Sequence, residues 1–373
     1  MKLAFIVQPD WLSEHFGVRN LFVSVAKTMQ RAGHDTDFIF FDMHRTEQLW
    51  YRFFVDDADL YSKEKETTDG LKQSYEKLTQ PIEFQFRFYK QFIGTSVDTL
   101  YDAFIITNPW LLNAVPFLGS GKKILLCYDV VANKYAFDNP GIFPWGYAHN
   151  AGYVCAKKEK MHFLSISKAV DDEIDAFYSP DFHTFLPPIR PYAFFDAFYD
   201  SKRNKENAVI LAAPFDVRKG LNIIPDLINP LADCLETLYI FGTPRCGREL
   251  YDDFFKKIKI GNIVYYNRIT SDDLIALYQK CKVLLFPSLN EGLGLPLIEA
   301  QLCGCRAVTT NAEPMNTLLC SGGYLLSDNN DKNISAIHQM LQDDTFDYES
   351  LSHEADLKFS QKKVVDTIET ILF

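Results

Sequence analysis

Short apolar runs alternate with helix-like stretches along nearly the whole chain, and the alternation restarts once after a proline-marked break. In the first half, Lys2–Val7 reads as a strand and about Asn20 to Arg31 as a helix. Asp37–Phe41, Phe104–Thr107, Ile124–Cys127 and Phe163–Ser167 follow as strands. In the second half, Ala208–Ala213, Leu238–Phe241, Ile263–Tyr266, Val283–Phe286 and Ala307–Thr310 read as strands. Helices are expected at about Leu221 to Ile228 and at Ser271–Lys280. Strands spaced by helices cannot pair as hairpins, because each connection is long enough to cross over, so the pattern predicts α/β architecture with parallel sheets. The break is Pro187-Pro188-Ile189-Arg190-Pro191, followed by polar Asp200–Glu206, and reads as an interdomain linker. It divides the chain into domains 1–188 and 189–352, with a terminal segment 353–373 whose Val364, Val365, Ile368, Ile371 and Leu372 have helical spacing. Residues 45–100 interrupt the rhythm with charged and aromatic content and read as an insertion, mostly helical, whose aromatic faces either pack on the domain, the usual fate of such side chains, or line a groove.

At 373 residues the chain is long enough for two cores of ordinary size, and 47% apolar with 23% charged content fits a soluble globular protein. A formal net charge of −11 argues against nucleic acid as a partner, since that needs a concentrated basic surface. The apolar run at the N-terminus stops at Val7 and Asp10 follows, so it reads as a first strand rather than a leader. The eight cysteines form no paired metal framework. Cys303 and Cys305 lack a second pair or a nearby His, and Cys127 and Cys281 sit in apolar runs, as buried free thiols do in a reducing cytoplasm. The acidic Asp56-Asp57-Ala58-Asp59 lies in the insertion, where a solvated turn is the expectation rather than a metal site.

The most informative segment is Phe286-Pro-Ser-Leu-Asn-Glu-Gly-Leu-Gly-Leu-Pro-Leu-Ile-Glu299. It puts Glu291 just past an apolar strand, then a turn holding Gly292 and Gly294, then a helix starting near Pro296 and carrying Glu299. Glycine lets backbone approach a ligand, proline suits a first helical turn, and the free N–H groups of a helix N-terminus attract anions. A carboxylate on each side of such a turn suits a ligand both anionic and rich in hydroxyls, as a nucleotide-sugar is.

With its two glutamates separated by seven residues, the segment resembles the donor-site signature of the retaining, GT-B-fold "glycosyltransferase group 1" family. The likeness runs on through Gln301-Leu-Cys-Gly-Cys-Arg-Ala-Val308. It is dense from Ala208 to Leu326 and sparse from Lys2 to Pro188. The resemblance implies two Rossmann-like domains facing across a cleft, acceptor-binding first and donor-binding second, with the last helix crossing back to the first domain.

It also implies roles for residues. Lys219, in Val217-Arg218-Lys219-Gly220, would meet the donor diphosphate. The Gly-Arg pair usual before that lysine is here Ala213 and Pro214, leaving Arg218 as the substitute cation. Glu291 would face the donor sugar, the backbone of Gly292, Leu293 and Gly294 the sugar and phosphate, and Glu299 the ribose hydroxyls. The base would lie near Ile269, with Asn267 replacing a frequent glycine. Gly17 resembles the family's glycine loop, and Arg19 meets donor phosphate or is an ordinary first-turn side chain. Tyr128 stands where a histidine that touches the sugar's C6 hydroxyl is expected, which suggests a 6-deoxy donor sugar. Asp129 would organise the acceptor or the reacting centre, and Ser165 and Ser167 would line the cleft.

The implied activity is metal-independent transfer of a sugar, with no cofactor, from a nucleotide-diphosphate sugar to a saccharide or glycolipid acceptor in surface polysaccharide biosynthesis. The implied location is cytoplasmic, with peripheral membrane association left open. A catalytically silent scaffold, or another GT-B enzyme such as a nucleotide-sugar epimerase, remain as alternatives.

Overall fold

The structure, a computed structural model, describes residues 1–7, 17–40, 85–88, 101–130, 143–244 and 247–373. The chain separates into two compact units, Met1–Ile189 with Gln361–Phe373, and Arg190–Ser360.

The first unit is built on strands β1 (Lys2–Val7), β2 (Asp35–Phe40), β3 (Gln85–Phe88), β4 (Ala103–Ile106), β5 (Lys122–Cys127), β6 (His162–Ser165) and β7 (His183–Phe185). They form one seven-stranded sheet in the order β3-β2-β1-β4-β5-β6-β7, with every pairing parallel. The continuous apolar run Leu3 to Val7 is fully buried, as expected for a central strand covered on both faces. Strand order reverses between β1 and β4, the switch-point arrangement of an open parallel sheet. The helix Gly17–Arg31 turns Leu21, Phe22, Val25 and Met29 inward, and Phe22 meets Phe38 of β2 edge to face. The terminal helix Gln361–Leu372 packs on that helix through buried Val364, Ile368 and Ile371. His34 Nε2 lies 2.9 Å from Glu369 Oε1, and Lys122 Nζ donates to the Ile371 carbonyl.

The second unit carries β8 (Glu206–Ala212), β9 (Thr237–Phe241), β10 (Ile263–Tyr266), β11 (Cys281–Phe286), β12 (Arg306–Thr310) and β13 (Tyr324–Leu326). Its six-stranded sheet runs β10-β9-β8-β11-β12-β13, again all parallel, and reverses order between β8 and β11. Val209, Leu211, Val283, Leu285 and Val308 project from three adjacent strands into one core with Ile224, Leu227, Phe254 and Ile337. Arg190 enters this unit almost fully buried. It donates from Nε to the Phe194 carbonyl at 2.7 Å and from Nη2 to the Ala197 carbonyl at 3.1 Å, and pairs with Asp356.

One expectation changes, and another falls almost wholly outside the described residues. The return to the first unit was expected from residue 353, yet residues up to Ser360 stay with the second. The helix Tyr348–Lys358 packs on Leu295–Leu302, and Ser352 Oγ donates to the Leu302 carbonyl at 2.5 Å, so that helix has its partner there. Residues 45–100, read as a mostly helical insertion, lie outside the described residues except Gln85–Phe88. That segment is an edge strand in register with Asp37–Phe40 of β2.

Candidate active site at the switch point of the second sheet

The loops leaving β8 and β11 are neighbours at the carboxyl end of the sheet because the strand order reverses between them. Ala213, one residue past β8, has φ +44, the left-handed region that favours glycine. It is the position where the resemblance leads one to expect a glycine. Asp216 then caps the 3-10 turn Val217–Lys219, its Oδ1 accepting from Arg218 N at 2.9 Å. Its Oδ2 accepts from Arg218 Nη2 at 2.8 Å. Burial raises the Asp216 carboxyl, but the Arg218 hydrogen bonds and the charges of Arg218 and Lys219 outweigh it and hold the group below its ordinary range.

Gly220 ends the turn at φ +76, and a Cβ there would stand 2.3 Å from the Pro287 carbonyl oxygen. Only glycine lets the two loops touch. The contact is knitted further by Leu289 N donating to the Arg218 carbonyl at 2.7 Å. Across this seam Lys219 Nζ, whose ammonium lies 5.2 Å from the Phe286 ring centroid, pairs with Glu291 Oε1. Ser288, fully buried, donates from Oγ to the same Oε1 at 2.6 Å. Its single proton is thereby committed, and the Arg218 and Asn290 carbonyls at 3.3 and 3.5 Å receive none. Among the described residues Oε2 of Glu291 accepts no hydrogen bond, so one edge of this carboxylate is held and the other is open to a donor.

Beyond Glu291 the chain reaches buried Leu293 and then Gly294, which takes φ +97 as the N-cap of the helix Leu295–Leu302. No side chain caps this helix, and Pro296 stands in its first turn. Glu299 is one turn further on, 7% exposed, accepting from the Tyr278 hydroxyl at 3.3 Å. Burial pushes its carboxyl up to about 7, partly offset by that hydrogen bond. Ile269, expected near a base, follows β10 two strands from β8, which is about 10 Å along the same edge of the sheet. Asn267 and Arg268 beside it are exposed, and Thr270 caps the next helix.

The sequence-predicted residues of the first unit form no comparable cluster. Gly17 is the exposed first residue of its helix, and nothing described lies within 4 Å of a Cβ built on it, so neither space nor backbone demands glycine there. Arg19 is buried, with Nη2 on Asn20 Oδ1 at 3.1 Å, which makes it part of that unit's interior. Ser165 and Ser167, expected to line a cleft, both make hydrogen bonds within the first unit. Ser165 donates to Asp171 Oδ1 at 3.1 Å, Asp171 pairs in turn with His183, and Ser167 caps the helix Lys168–Tyr178. Tyr128 and Asp129 follow β5, where the Tyr128 hydroxyl is buried with no partner among the described residues. The Asp129 carbonyl accepts from Tyr153 Oη at 3.1 Å. Asp56, Asp57 and Asp59 lie outside the described residues, and no group of three or more metal-ligating side chains is present among those described.

Sequence reasoning passed over Ser288, Asp216 and Tyr278. Ser288 had a signal, a hydroxyl three residues before the glutamate it holds. Tyr278 had none, because only packing brings its helix against Glu299.

Residues 240–357 match the family described as glycosyl transferases group 1. A stretch of 88 residues is 35% identical to the O-antigen chain mannosyltransferase B of Escherichia coli, covering 23% of each chain. Another of 49 residues is 49% identical to the Escherichia coli serotype-specific mannosyltransferase WbdA, covering 13% of this chain and 6% of that one. The chain thus spans only a small part of these curated relatives. Among solved structures, Anabaena Alr3699/HepE in complex with UDP and glucose aligns over 100% of this chain and 99% of its own, at 15% identity and TM-score 0.66. WaaG, a glycosyltransferase involved in lipopolysaccharide biosynthesis, aligns over 99% of both at 14% identity and TM-score 0.62. The carboxylate–lysine seam, the glycine turn and the buried second glutamate therefore lie on a GT-B fold, and Glu291 and Glu299 fall inside the segment that matches the glycosyl transferases group 1.

Proposed function

We propose that this protein transfers a sugar from a nucleoside-diphosphate sugar to a saccharide or lipid-linked saccharide, with retention of anomeric configuration and without a metal. The observation that carries the reading is the Lys219–Glu291–Ser288 cluster at the switch point of the second sheet, with Glu299 on the helix that follows. Transfer makes a diphosphate leaving group, whose growing charge has to be met by a fixed cation and oriented N–H dipoles. Lys219 is that cation, and the uncapped helix Leu295–Leu302 offers the dipoles. Glu291, gripped at Oε1, offers Oε2 to a sugar hydroxyl, and Glu299 accepts ribose hydroxyls. The base lies toward Ile269, a distance a nucleotide spans. The acceptor brings the incoming hydroxyl. That hydroxyl approaches on the face the diphosphate leaves, and a diphosphate oxygen takes its proton.

The relatives support a polysaccharide setting, since two of them are named O-antigen chain mannosyltransferases and a structural neighbour serves lipopolysaccharide biosynthesis. They also put a mannosyl donor beside the 6-deoxy donor that Tyr128 suggests. Thermal-shift screening against UDP, GDP, ADP and dTDP, followed by turnover with sugars of the base that binds, tests the proposal, because a ligand of the folded state raises its melting point. Retention is read from the anomeric proton coupling of the product. A nucleotide that binds but never turns over with any acceptor would leave the silent scaffold as the better reading. Activity that vanishes with a chelator and returns with a divalent cation would contradict the metal-free mechanism.

A further inference from the structure

The proposed phosphate site is already occupied by its own counter-charges. Lys219 is paired with Glu291, and Arg218 with Asp216. The Lys219 and Glu291 side chains are only 21% and 14% exposed, so water screens their attraction weakly. Across these four residues the charges cancel. A bare diphosphate arriving at Lys219 therefore competes with Glu291 for the ammonium, and a second anion settles beside that carboxylate. Separating a partly buried pair and then adding a like charge is costly. A ligand that carries phosphate oxygens and sugar hydroxyls in one molecule meets both halves at once: the phosphate takes Lys219 and a hydroxyl donates to Glu291.

We propose that the Lys219–Glu291 pair is a selectivity lock that favours the intact sugar nucleotide over the free nucleoside diphosphate. Once the sugar has left, Glu291 loses its hydroxyl donor and recaptures Lys219, which drives the spent nucleotide out. The inference rests on the donor-site reading above. Ser288 sets the strength of the lock. By holding Oε1 at 2.6 Å it keeps the carboxylate supported while the lysine is away, which makes opening easier.

Calorimetric titration of the full chain tests this with inorganic pyrophosphate, UDP, GDP, UDP-glucose and GDP-mannose as probes. Glu291→Gln keeps the shape and removes the charge. It is expected to tighten pyrophosphate and the free nucleotide by about tenfold, the scale of one partly buried charge pair, while the intact sugar nucleotide gains nothing or weakens. Ser288→Ala is expected to move the other way, weakening the free nucleotide, because the carboxylate then depends on Lys219 alone. Opposite shifts from two neighbouring variants are not what general damage to the loop produces, and thermal melts verify that both are folded. If wild type binds a nucleotide but Glu291→Gln leaves its affinity unchanged or lower, the lock is refuted and the donor site stands. If wild type and both variants bind none of the five probes, the donor-site reading falls and takes the lock with it.

Discussion

Lys219 and Glu291 are the residues on which the chemistry turns, and their loss should be felt at the transition state. Removing one group that stabilises developing charge lowers turnover by about a hundredfold or more, so Lys219→Ala and Glu291→Gln should each reduce kcat on that scale. Steady-state kinetics with the sugar nucleotide checks this, and near-normal turnover in either variant would count against the assignment. Glu299 gives a pH signature. Its folded carboxyl stands at about 7 against an ordinary 4.5, so between those values the folded protein holds a proton that the unfolded chain has lost. Stability then falls as pH rises through that window, the reverse of a salt-bridged carboxylate. Glu299→Gln removes the penalty and should be more stable than wild type at pH 8, by up to about 3 kcal/mol, with the gap closing toward pH 4.5. Melting curves across that range read the difference. A gain at pH 8 together with weaker nucleotide binding is the pattern expected of a carboxylate kept for a ligand rather than for folding.

The turn Val217–Lys219 and the loop after β11 act as one element because Gly220 allows backbone contact. Gly220→Ala places a methyl 2.3 Å from the Pro287 oxygen at a φ of +76. The substitution should cost roughly 2 kcal/mol or more and separate Lys219 from Glu291, lowering turnover with stability. Gly17 makes the opposite control. A methyl at this exposed helix start meets nothing described, so Gly17→Ala should change stability by no more than about 0.5 kcal/mol. Paired chemical denaturation of the two variants measures the contrast. Any loss of turnover in Gly17→Ala then reports a ligand contact rather than damage to the fold, which is how the family-like role of that glycine can be tested.

In the whole molecule, each unit is a parallel sheet with its own core, and the chain returns to the first unit only for its final helix. That helix buries Val364, Ile368 and Ile371 and ties His34 through Glu369. Deleting residues 361–373 should uncover the outer face of the helix Gly17–Arg31. Amide exchange should then rise across β1 and β2 while the core of residues 190–360 keeps its protection. Equal loss of protection in both units would show that their stabilities are not separable in this way. Among the described residues no helix is long and apolar enough to cross a membrane.

The amino-acid sequence by itself determined the α/β class, the break near residue 189, and the segment holding Glu291 and Glu299. Buried parallel strands have to be apolar throughout, and a glycine turn before a helix has few substitutes, so both are written in local residue types. Strand order, and with it the meeting of Lys219 with a glutamate 72 positions later, was decided by tertiary structure, because crossover connections leave no local trace of which strand becomes a neighbour. The same holds for Ser165, whose proton goes to Asp171 only because packing brings the two together. It holds also for β3, whose four residues are a strand only because β2 offers an edge. Short-range chemistry selects the elements, and burial and pairing between distant segments select which of their side chains are left for a ligand.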